Sequence, residues 1–315
     1  MLQVPRNACS CENLTQFFEF LISMTSPLAL SNGIHLEAGP HCVLMLHGLG
    51  ASSVEFAIMA KELNQHGLSV YAPNINGYCF GTPAQPWNDW IAQTQQHLWN
   101  LREHYQSVSV VGVSMGATLA MALAQRESVD ALVLLSTALS YDGWAMPWYR
   151  FLLKWAPWFP FAGRYTYVEA EPFGVKNEEI RAMVKRAMKA NHISESGSEI
   201  LTMHYITEGR KLIKDAIKRI EDVDAPVLFV HAVDDETVHV RNAEWAYRHV
   251  SSSQKDFIYL GDSYHMITVD NERETVSSES ARFLKKTINE SLATPAFEVP
   301  RVLSGELRRA LRKRS

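Results

Sequence analysis

The pentapeptide GVSMG at residues 112–116 contains the serine best placed for nucleophilic chemistry. A G-x-S-x-G match alone is a weak signal, but this one directly follows the apolar run Val108–Val111 and directly precedes the small-residue helical pattern Ala117–Gln125. A sharp strand–turn–helix connection strains the backbone of the serine and requires neighbours without side chains two residues away on either side. The pattern predicts that the hydroxyl of Ser114 lies at the carboxyl end of a sheet, where ligands bind in open α/β folds.

A serine hydroxyl is a weak nucleophile and needs a general base, for which His265 is the best candidate. It stands in the segment GDSYH at residues 261–265, in a loop directly after the strand-like run Phe257–Leu260. Of the other histidines, four lie in helical patterns and two in the segment interpreted below as a cap, namely His66, His97, His104 and His249, and His192 and His204. His231 in particular falls inside a strand pattern, and we expect it to be buried.

The acid that orients this base should follow the strand pattern Val227–His231. The loop after that pattern reads AVDDETV at residues 232–238 and offers three carboxylates, Asp234, Asp235 and Glu236. The acid has to accept the imidazole N–H, fix the tautomer and stabilise the imidazolium. We choose Asp235, with Asp234 as the alternative, and the choice between them rests mainly on a family pattern given below.

An oxyanion that forms during acyl transfer needs two N–H donors. The residue after the nucleophile, Met115, supplies one of them in this type of turn. The second is expected from the glycine-containing loop HGLG at residues 47–50, where Leu49 is the best candidate donor. We expect His47 to orient this loop and not to act as a second base.

Apolar, β-branched runs alternate with helical patterns along most of the chain, which is typical of a mostly parallel sheet covered by helices on both faces. The predicted strands are Cys42–His47, Leu68–Ala72, Val108–Val113, Ala131–Leu135, Val227–His231 and Phe257–Leu260. The predicted helices between them are Val54–His66, Trp87–His104, Met115–Arg126, Asn242–Val250 and Glu272–Asn289.

The segment 139–214 breaks this alternation, because it contains many aromatic residues and no pattern of a buried strand. It also contains a charged helical stretch at Asn177–Asn191, and we interpret the whole as a helical cap inserted between two strands. Trp144 and Trp148 keep helical spacing and are candidate substrate-binding residues. The aromatic face that they mark could line an acyl pocket, pack as ordinary core or touch a membrane surface.

These patterns divide the chain into an N-terminal extension, a core, a cap and a tail. The predicted limits are 1–32 for the extension, 33–138 and 215–290 for the core, 139–214 for the cap and 291–315 for a basic C-terminal tail. The extension is a poor signal peptide, since Glu19 interrupts its apolar run and only Arg6 lies before it. We expect the basic residues of the tail to form a solvated end.

The overall composition supports a globular protein and excludes some classes. The chain has 315 residues, of which 47% are hydrophobic, and this is enough for a sizeable core. A formal net charge of −4 does not favour a nucleic-acid partner. The four cysteines form neither a disulfide framework nor a zinc pattern, which suits a reducing, cytoplasmic environment and predicts no metal. No apolar stretch is long enough to predict a membrane-spanning helix.

Four motifs together resemble the α/β-hydrolase superfamily and, more narrowly, its carboxylesterase and monoacylglycerol lipase group of small capped enzymes. They are LMLHGLG at 44–50, GVSMG at 112–116, HAVDDETV at 231–238 and SYHMITVD at 263–270. The resemblance covers roughly residues 43–284. It implies that the acid is the aspartate of a D-x-x-V tetrad, here Asp235 in the tetrad that ends at Val238. It also implies that Leu49 supplies the second oxyanion donor and that no cofactor takes part.

The resemblance implies a serine hydrolase that cleaves small-molecule carboxylic esters through an acyl-enzyme. An acyltransferase, a thioesterase or a carbon–carbon bond hydrolase would use the same triad, and fold analogy does not separate them. A non-catalytic binding protein on the same fold is the remote alternative. An epoxide hydrolase or a dehalogenase is disfavoured because such enzymes carry aspartate where Ser114 stands. The oligomeric state is left open.

Overall fold

A computed structural model describes residues 33–79, 81–145, 166–167, 171–190 and 201–291 of the chain. Within them a seven-stranded sheet has the strand order β1-β3-β2-β4-β5-β8-β9, and a second sheet pairs β6 with β7. The nine strands are β1 (Ile34–Leu36), β2 (His41–Leu46), β3 (Ser69–Ala72), β4 (Ser107–Val113), β5 (Leu132–Leu135), β6 (Thr166–Tyr167), β7 (Leu201–Thr202), β8 (Val227–Ala232) and β9 (Lys255–Leu260).

Helices connect these strands. The α-helices are α1 (Ala57–Gln65), α2 (Trp87–Arg102), α3 (Met115–Ala124), α4 (Glu178–Ala190), α5 (Met203–Lys218), α6 (Arg241–His249) and α7 (Arg273–Ser291), and short 3₁₀ turns lie at Ser53–Phe56 and Ile220–Asp222. None of the helices described here is long and apolar enough to cross a membrane.

The central strands are buried on both faces, which explains their continuous apolar sequences. Every residue of β2, β5 and β8 is buried, and so is every residue of β4 after its first. Parallel strands with helices on both sides have no solvent face, so they lose the alternation of polar and apolar residues. All pairs in the large sheet are parallel except that of β1 with β3. The predicted mostly parallel sheet is confirmed.

Two separate cores lie on the two faces of the sheet. Alternate side chains of β2 point in opposite directions, so Leu44 and Leu46 join one core and Val43 and Met45 join the other. Helices α2, α3, α5 and α6 contribute to the first core, and α1 and α7 contribute to the second. Each fully buried leucine contributes about 1.5–3 kcal/mol of transfer free energy, so these cores hold the strand ends in fixed positions.

The segment between β5 and β8 differs from the core in its secondary structure. Its described parts contain the short β6–β7 pair and the helices α4 and α5. Helix α4 agrees with the predicted stretch Asn177–Asn191, whereas the two-residue strands were too short to give a sequence pattern. Helix α5 runs across the predicted cap boundary at residue 214 and packs on α3. The division into cap and core therefore stays a prediction, and residues 1–32 and 292–315 lie outside the described residues.

Candidate active site

Ser114 occupies the sharp turn between β4 and α3. Its backbone angles are φ 55° and ψ −120°, a strained conformation for a residue with a side chain. A β-carbon on Gly112 would lie 2.3 Å from the carbonyl oxygen of Gly116, and one on Gly116 would lie 2.0 Å from the carbonyl oxygen of Leu46. Only glycine fits at both positions, which is the steric reason for the motif.

Ser114 and His265 meet at the carboxyl ends of the strands. The distance from Ser114 Oγ to His265 Nε2 is 2.8 Å. On the other side of the ring, His265 Nδ1 lies 2.8 Å from Asp235 Oδ2. A carboxylate only accepts hydrogen bonds, so Nδ1 carries the hydrogen and Nε2 is left to accept the serine hydroxyl hydrogen. The arrangement can remove a proton from Ser114 as its oxygen attacks an electrophile.

Asp235 is buried and receives hydrogen bonds at both carboxylate oxygens. The backbone N–H groups of Thr237 and Val238 donate to Oδ1 at 2.9 and 2.7 Å. Burial alone would raise the pKa of Asp235, but the neighbouring His265 and His231 outweigh it and hold that pKa below its usual range. The carboxylate is therefore ionised at neutral pH and can stabilise an imidazolium.

Asp234, the alternative acid, points away from the histidine. Its side chain is 55% exposed and lies 3.1 Å from the ammonium of Lys176. The structure thus brings Asp235, and not Asp234, to His265.

The loop at residues 47–50 is held in one conformation by two side chains. His47 Nδ1 donates to the carbonyl oxygen of Gly48 at 2.8 Å, and the N–H of Gly48 donates to Glu55 Oε2 at 2.8 Å. The C=O and N–H of a trans peptide point in opposite directions, so fixing the Gly48 carbonyl also aims the N–H of Leu49 away from the His47 ring. Burial lowers the pKa of His47 to about 4, so this ring is neutral and orients the loop.

Met115 is the first residue of α3, directly after Ser114. The N–H groups of a first helical turn have no partner inside the helix and carry the positive end of its dipole. The N–H of Met115 is therefore suited to an oxyanion next to the serine hydroxyl.

A family model described as serine aminopeptidase, S33, matches residues 40–273, which is most of the chain and contains all the motifs above. The chain belongs to this family.

Curated relatives of this S33-family chain include two bacterial enzymes of similar length. It is 23% identical over 256 residues to a carboxylesterase of Bacillus subtilis strain 168, covering 79% of this chain and 94% of the relative. It is 22% identical over 258 residues to a thermostable monoacylglycerol lipase of Bacillus sp. strain H-257, covering 80% of this chain and 93% of that relative.

Solved structures agree on the fold of this family member. A metagenome-derived lipolytic enzyme aligns with a TM-score of 0.66 at 21% identity, over 82% of this chain and 98% of that chain. The monoacylglycerol lipase of Paleococcus ferrophilus aligns with a TM-score of 0.65 at 18% identity, over 81% of this chain and 98% of that chain. These likenesses, with the sheet order, confirm the α/β-hydrolase fold.

The backbone of His265 is held by two side chains to which the sequence analysis gave no such role. Ser136 Oγ donates to the carbonyl oxygen of His265 at 2.8 Å, and the N–H of His265 donates to Glu236 Oε2 at 3.1 Å. Both supporting side chains are buried. Glu236 could have been found from its place beside the acid, whereas nothing in the sequence around Ser136 indicates its role.

Asp270 ties the histidine loop to the segment before α4. This carboxylate is fully buried and accepts the backbone N–H groups of Lys176, Asn177 and Tyr264 at 2.7, 2.9 and 2.8 Å. The sequence could have indicated this role, because Asp270 is the last residue of the motif SYHMITVD. These three donors connect two regions that lie far apart in the sequence.

Trp144 lies beside the acid and histidine loops at the protein surface. The residue is 64% exposed. Its ring contacts the Tyr264 ring edge-on with centroids 5.8 Å apart, and its Nε1 donates to the carbonyl oxygen of Asp234 at 3.2 Å. Trp148, the other candidate substrate-binding residue, lies outside the described residues.

Helix α5 packs against Leu49 of the 47–50 loop and against Met115. A β-carbon on Gly209 would lie 3.0 Å from Leu49 Cδ2 and 3.2 Å from Met115 Cε. The absence of a side chain at residue 209 therefore lets α5 approach both candidate oxyanion residues closely. Within the described ranges, no three or more His, Cys, Asp or Glu side chains are grouped so that they could hold a metal ion.

Proposed function

We propose that this chain is a serine hydrolase that cleaves carboxylic esters through an acyl-enzyme intermediate. The observation that carries the proposal is the hydrogen-bonded series of Ser114, His265 and Asp235, with 2.8 Å at each of its two links. The names of the curated relatives, a carboxylesterase and a monoacylglycerol lipase, support an ester as the substrate.

In the first half-reaction, Ser114 Oγ attacks the carbonyl carbon of the ester while His265 Nε2 takes the hydroxyl proton. The carbonyl oxygen becomes an oxyanion, which the N–H groups of Leu49 and Met115 stabilise. One such donor typically contributes on the order of 10²–10³ in kcat. Asp235 stabilises the imidazolium that forms and keeps Nε2 directed at the serine.

The first half-reaction ends when the imidazolium of His265 protonates the leaving alkoxide as the bond between the carbonyl carbon and that oxygen breaks, which leaves an acyl group on Ser114. In the second half-reaction His265 removes a proton from water as the water oxygen attacks the acyl carbon. His265 then returns this proton to Oγ of the serine as the bond between the acyl carbon and Oγ breaks. The products are a carboxylic acid and an alcohol.

The family is named after a serine aminopeptidase. A separate observation is therefore needed to favour an ester over a peptide as the substrate. An aminopeptidase has to bind the ammonium group of its substrate, usually with a carboxylate. The two carboxylates next to His265 are both engaged: Asp235 with the imidazole, and Glu236 with the His265 N–H and the Thr237 hydroxyl. This supports an uncharged acyl group in the site.

Trp144 is proposed to contact the substrate at the mouth of the site. Its exposed ring lies against Tyr264, the residue before His265, so an acyl chain leaving the serine along this side would meet an aromatic surface.

The test is hydrolysis of p-nitrophenyl esters from acetate to palmitate, of monoacylglycerols and of aminoacyl p-nitroanilides, with Ser114→Ala as the control. We expect ester cleavage that falls by on the order of 10⁴-fold or more in Ser114→Ala, as when other serine hydrolases lose their nucleophile. Preference for the anilides would overturn the ester assignment. Full ester activity in Ser114→Ala would overturn the role of the serine.

A further inference from the structure

A second histidine lies against the acid of the proposed triad. His231 is fully buried in β8, and its Nε2 lies 3.2 Å from Oδ2 of Asp235. This is the same oxygen that His265 Nδ1 contacts at 2.8 Å. The two imidazole rings thus share one carboxylate oxygen, with His265 between the acid and the serine and His231 on the core side.

The surroundings of His231 determine which ring nitrogen carries its hydrogen. Nε2 faces two acceptors, Asp235 Oδ2 and the carbonyl oxygen of Val238 at 2.9 Å. A nitrogen that faces two acceptors must carry the hydrogen. The other nitrogen, Nδ1, is buried and has no hydrogen-bond partner among the described residues, so only the tautomer with hydrogen on Nε2 leaves no donor unsatisfied.

Asp235 accepts three hydrogen bonds, and His231 Nε2 makes a further polar contact of 3.2 Å with the oxygen that His265 also contacts. The backbone N–H groups of Thr237 and Val238 hold Oδ1, and the two histidines hold Oδ2. A carboxylate held at both oxygens cannot rotate about its terminal torsion, so the oxygen that faces His265 stays in place.

We propose that His231 is a positioning residue that fixes Oδ2 of Asp235 and limits the negative charge that this oxygen presents to His265. The proposal rests on the proposed function, since it assigns a role within the same triad. Because a second donor draws electron density from the shared oxygen, the imidazolium of His265 is less strongly stabilised and the free base forms at lower pH.

The charged groups near His265 support this assignment. On the side of the acid loop the ring of His265 faces Asp235, and Glu236 accepts the backbone N–H of His265, so two carboxylates lie near the imidazole. Lys176, from the segment before α4, is paired with Asp234 and Asp262 at 3.1 and 3.5 Å. Among the described residues, the N–H of His231 therefore offsets part of the negative charge that Oδ2 of Asp235 presents to His265.

Two substitutions separate the hydrogen bond from the size of the side chain. In His231→Gln the amide nitrogen occupies nearly the position of Nε2 and keeps the donor. In His231→Asn the amide reaches only the position of Nδ1 and the donor is lost. We expect His231→Gln to stay within about threefold of the wild-type kcat. For His231→Asn we expect kcat to fall about 10–100-fold with little change in KM, because the interaction operates in the transition state.

The pH profile provides a measurement that a purely structural role would not change. In His231→Asn the acid limb of kcat/KM should move to higher pH, and in His231→Gln it should stay at the wild-type position. A wild-type acid limb in His231→Asn, with kcat lowered only in proportion to the folded fraction, would overturn the proposal.

Nitrogen and proton NMR of the wild-type protein tests the proposal without any variant. We expect the His231 ring to carry its hydrogen on Nε2 and its resonances to move when His265 is protonated. Hydrogen on Nδ1, or no movement of the resonances, would overturn the proposal.

Labelling by a fluorophosphonate distinguishes a failure of the proposed function from a failure of the role of His231. An unlabelled wild type contradicts the proposed function. A labelled wild type with indistinguishable pH profiles for His231→Gln and His231→Asn contradicts only the role of His231.

Discussion

Ser136 holds the backbone of His265 through a hydrogen bond of 2.8 Å from its Oγ to the histidine carbonyl oxygen. Ser136 follows β5 and has a φ of 46°, so its backbone is in the left-handed region that residues with side chains rarely adopt. Its N–H donates to the carbonyl oxygen of Val230 at 2.9 Å. The position of the imidazole therefore depends on the end of a neighbouring strand as well as on its own loop.

Replacing Ser136 by alanine should weaken this support. The carbonyl oxygen of His265 would lose the hydroxyl donor and keep the N–H of Ile267 at 2.9 Å. Loss of one such hydrogen bond costs about 0.5–1.5 kcal/mol of unfolding free energy. We expect kcat for ester hydrolysis to fall roughly 3–10-fold with KM unchanged, because the base is less well positioned. Thr137→Val is the matched control, since Thr137 is equally buried and its Oγ1 has no hydrogen-bond partner among the described residues. Equal kcat in the two variants would contradict the role of Ser136.

The two adjacent aspartates of the acid loop should behave very differently. Asp235→Asn places an amide against His265 Nδ1 and favours the wrong tautomer, so we expect kcat to fall on the order of 10³–10⁴-fold. Asp234→Asn removes an exposed ion pair with Lys176, and such pairs contribute about 0–1 kcal/mol to stability. It should keep kcat within about threefold. Steady-state kinetics on one ester checks both, and a larger loss in Asp234→Asn would reverse the assignment.

Ionisation of Glu236 should lower the free energy of unfolding as the pH rises, whereas most carboxylates raise it. Burial raises the pKa of Glu236, the nearby His265 acts in the opposite direction, and the charge of Asp235 raises it further. A raised pKa in the folded state contributes stability that is present below the unfolded pKa, about 4.3, and is lost as pH rises through the folded pKa. The Glu236 carboxyl therefore contributes less to the free energy of unfolding at high pH than at low pH.

Glu236→Gln keeps an acceptor for the His265 N–H and removes this pH dependence. We expect the melting temperature of the variant to exceed that of the wild type by more at pH 7 than at pH 4. Thermal unfolding at both pH values measures the difference, with Glu279→Gln as a control for a buried carboxylate that lies in α7 and pairs with Arg282. A difference that is independent of pH would show that Glu236 is not the group responsible.

Gly209 should allow α5 to pack against Leu49 and Met115 without displacing them. Alanine is favoured over glycine inside a helix by about 1 kcal/mol, so Gly209→Ala should not lower the melting temperature. The new β-carbon would push on Leu49 and Met115, and we expect a several-fold loss of kcat without loss of stability. Lys214→Ala, on the exposed face of the same helix, is the control and should leave kcat unchanged. Wild-type kcat in Gly209→Ala would show that α5 does not constrain the oxyanion loop.

The buried strands and the serine turn could be predicted from the sequence because local patterns specify them. The runs that became β2, β4, β5 and β8 are mostly apolar, and the glycines of GVSMG mark a turn that tolerates no side chain at either position. The three-residue strand β1 escaped prediction, since its pairing with β3 is decided by tertiary contacts.

The acid loop and the support of His265 show what local sequence does not determine. Asp234 and Asp235 are identical side chains one residue apart, and only the path of the loop in space decides which one reaches the imidazole. His231 could be predicted to be buried, but its contact with Asp235 depends on how the chain returns after β8. Ser136 reaches His265 across 129 residues, so no local pattern could indicate the contact.

Covalent labelling with a fluorophosphonate, followed by intact mass and peptide mapping, tests the central claim most directly. We expect one adduct per chain on Ser114, which is lost in Ser114→Ala and forms more slowly at low pH as His265 becomes protonated. Absence of labelling in the folded wild type, or an adduct that persists in Ser114→Ala, would contradict it.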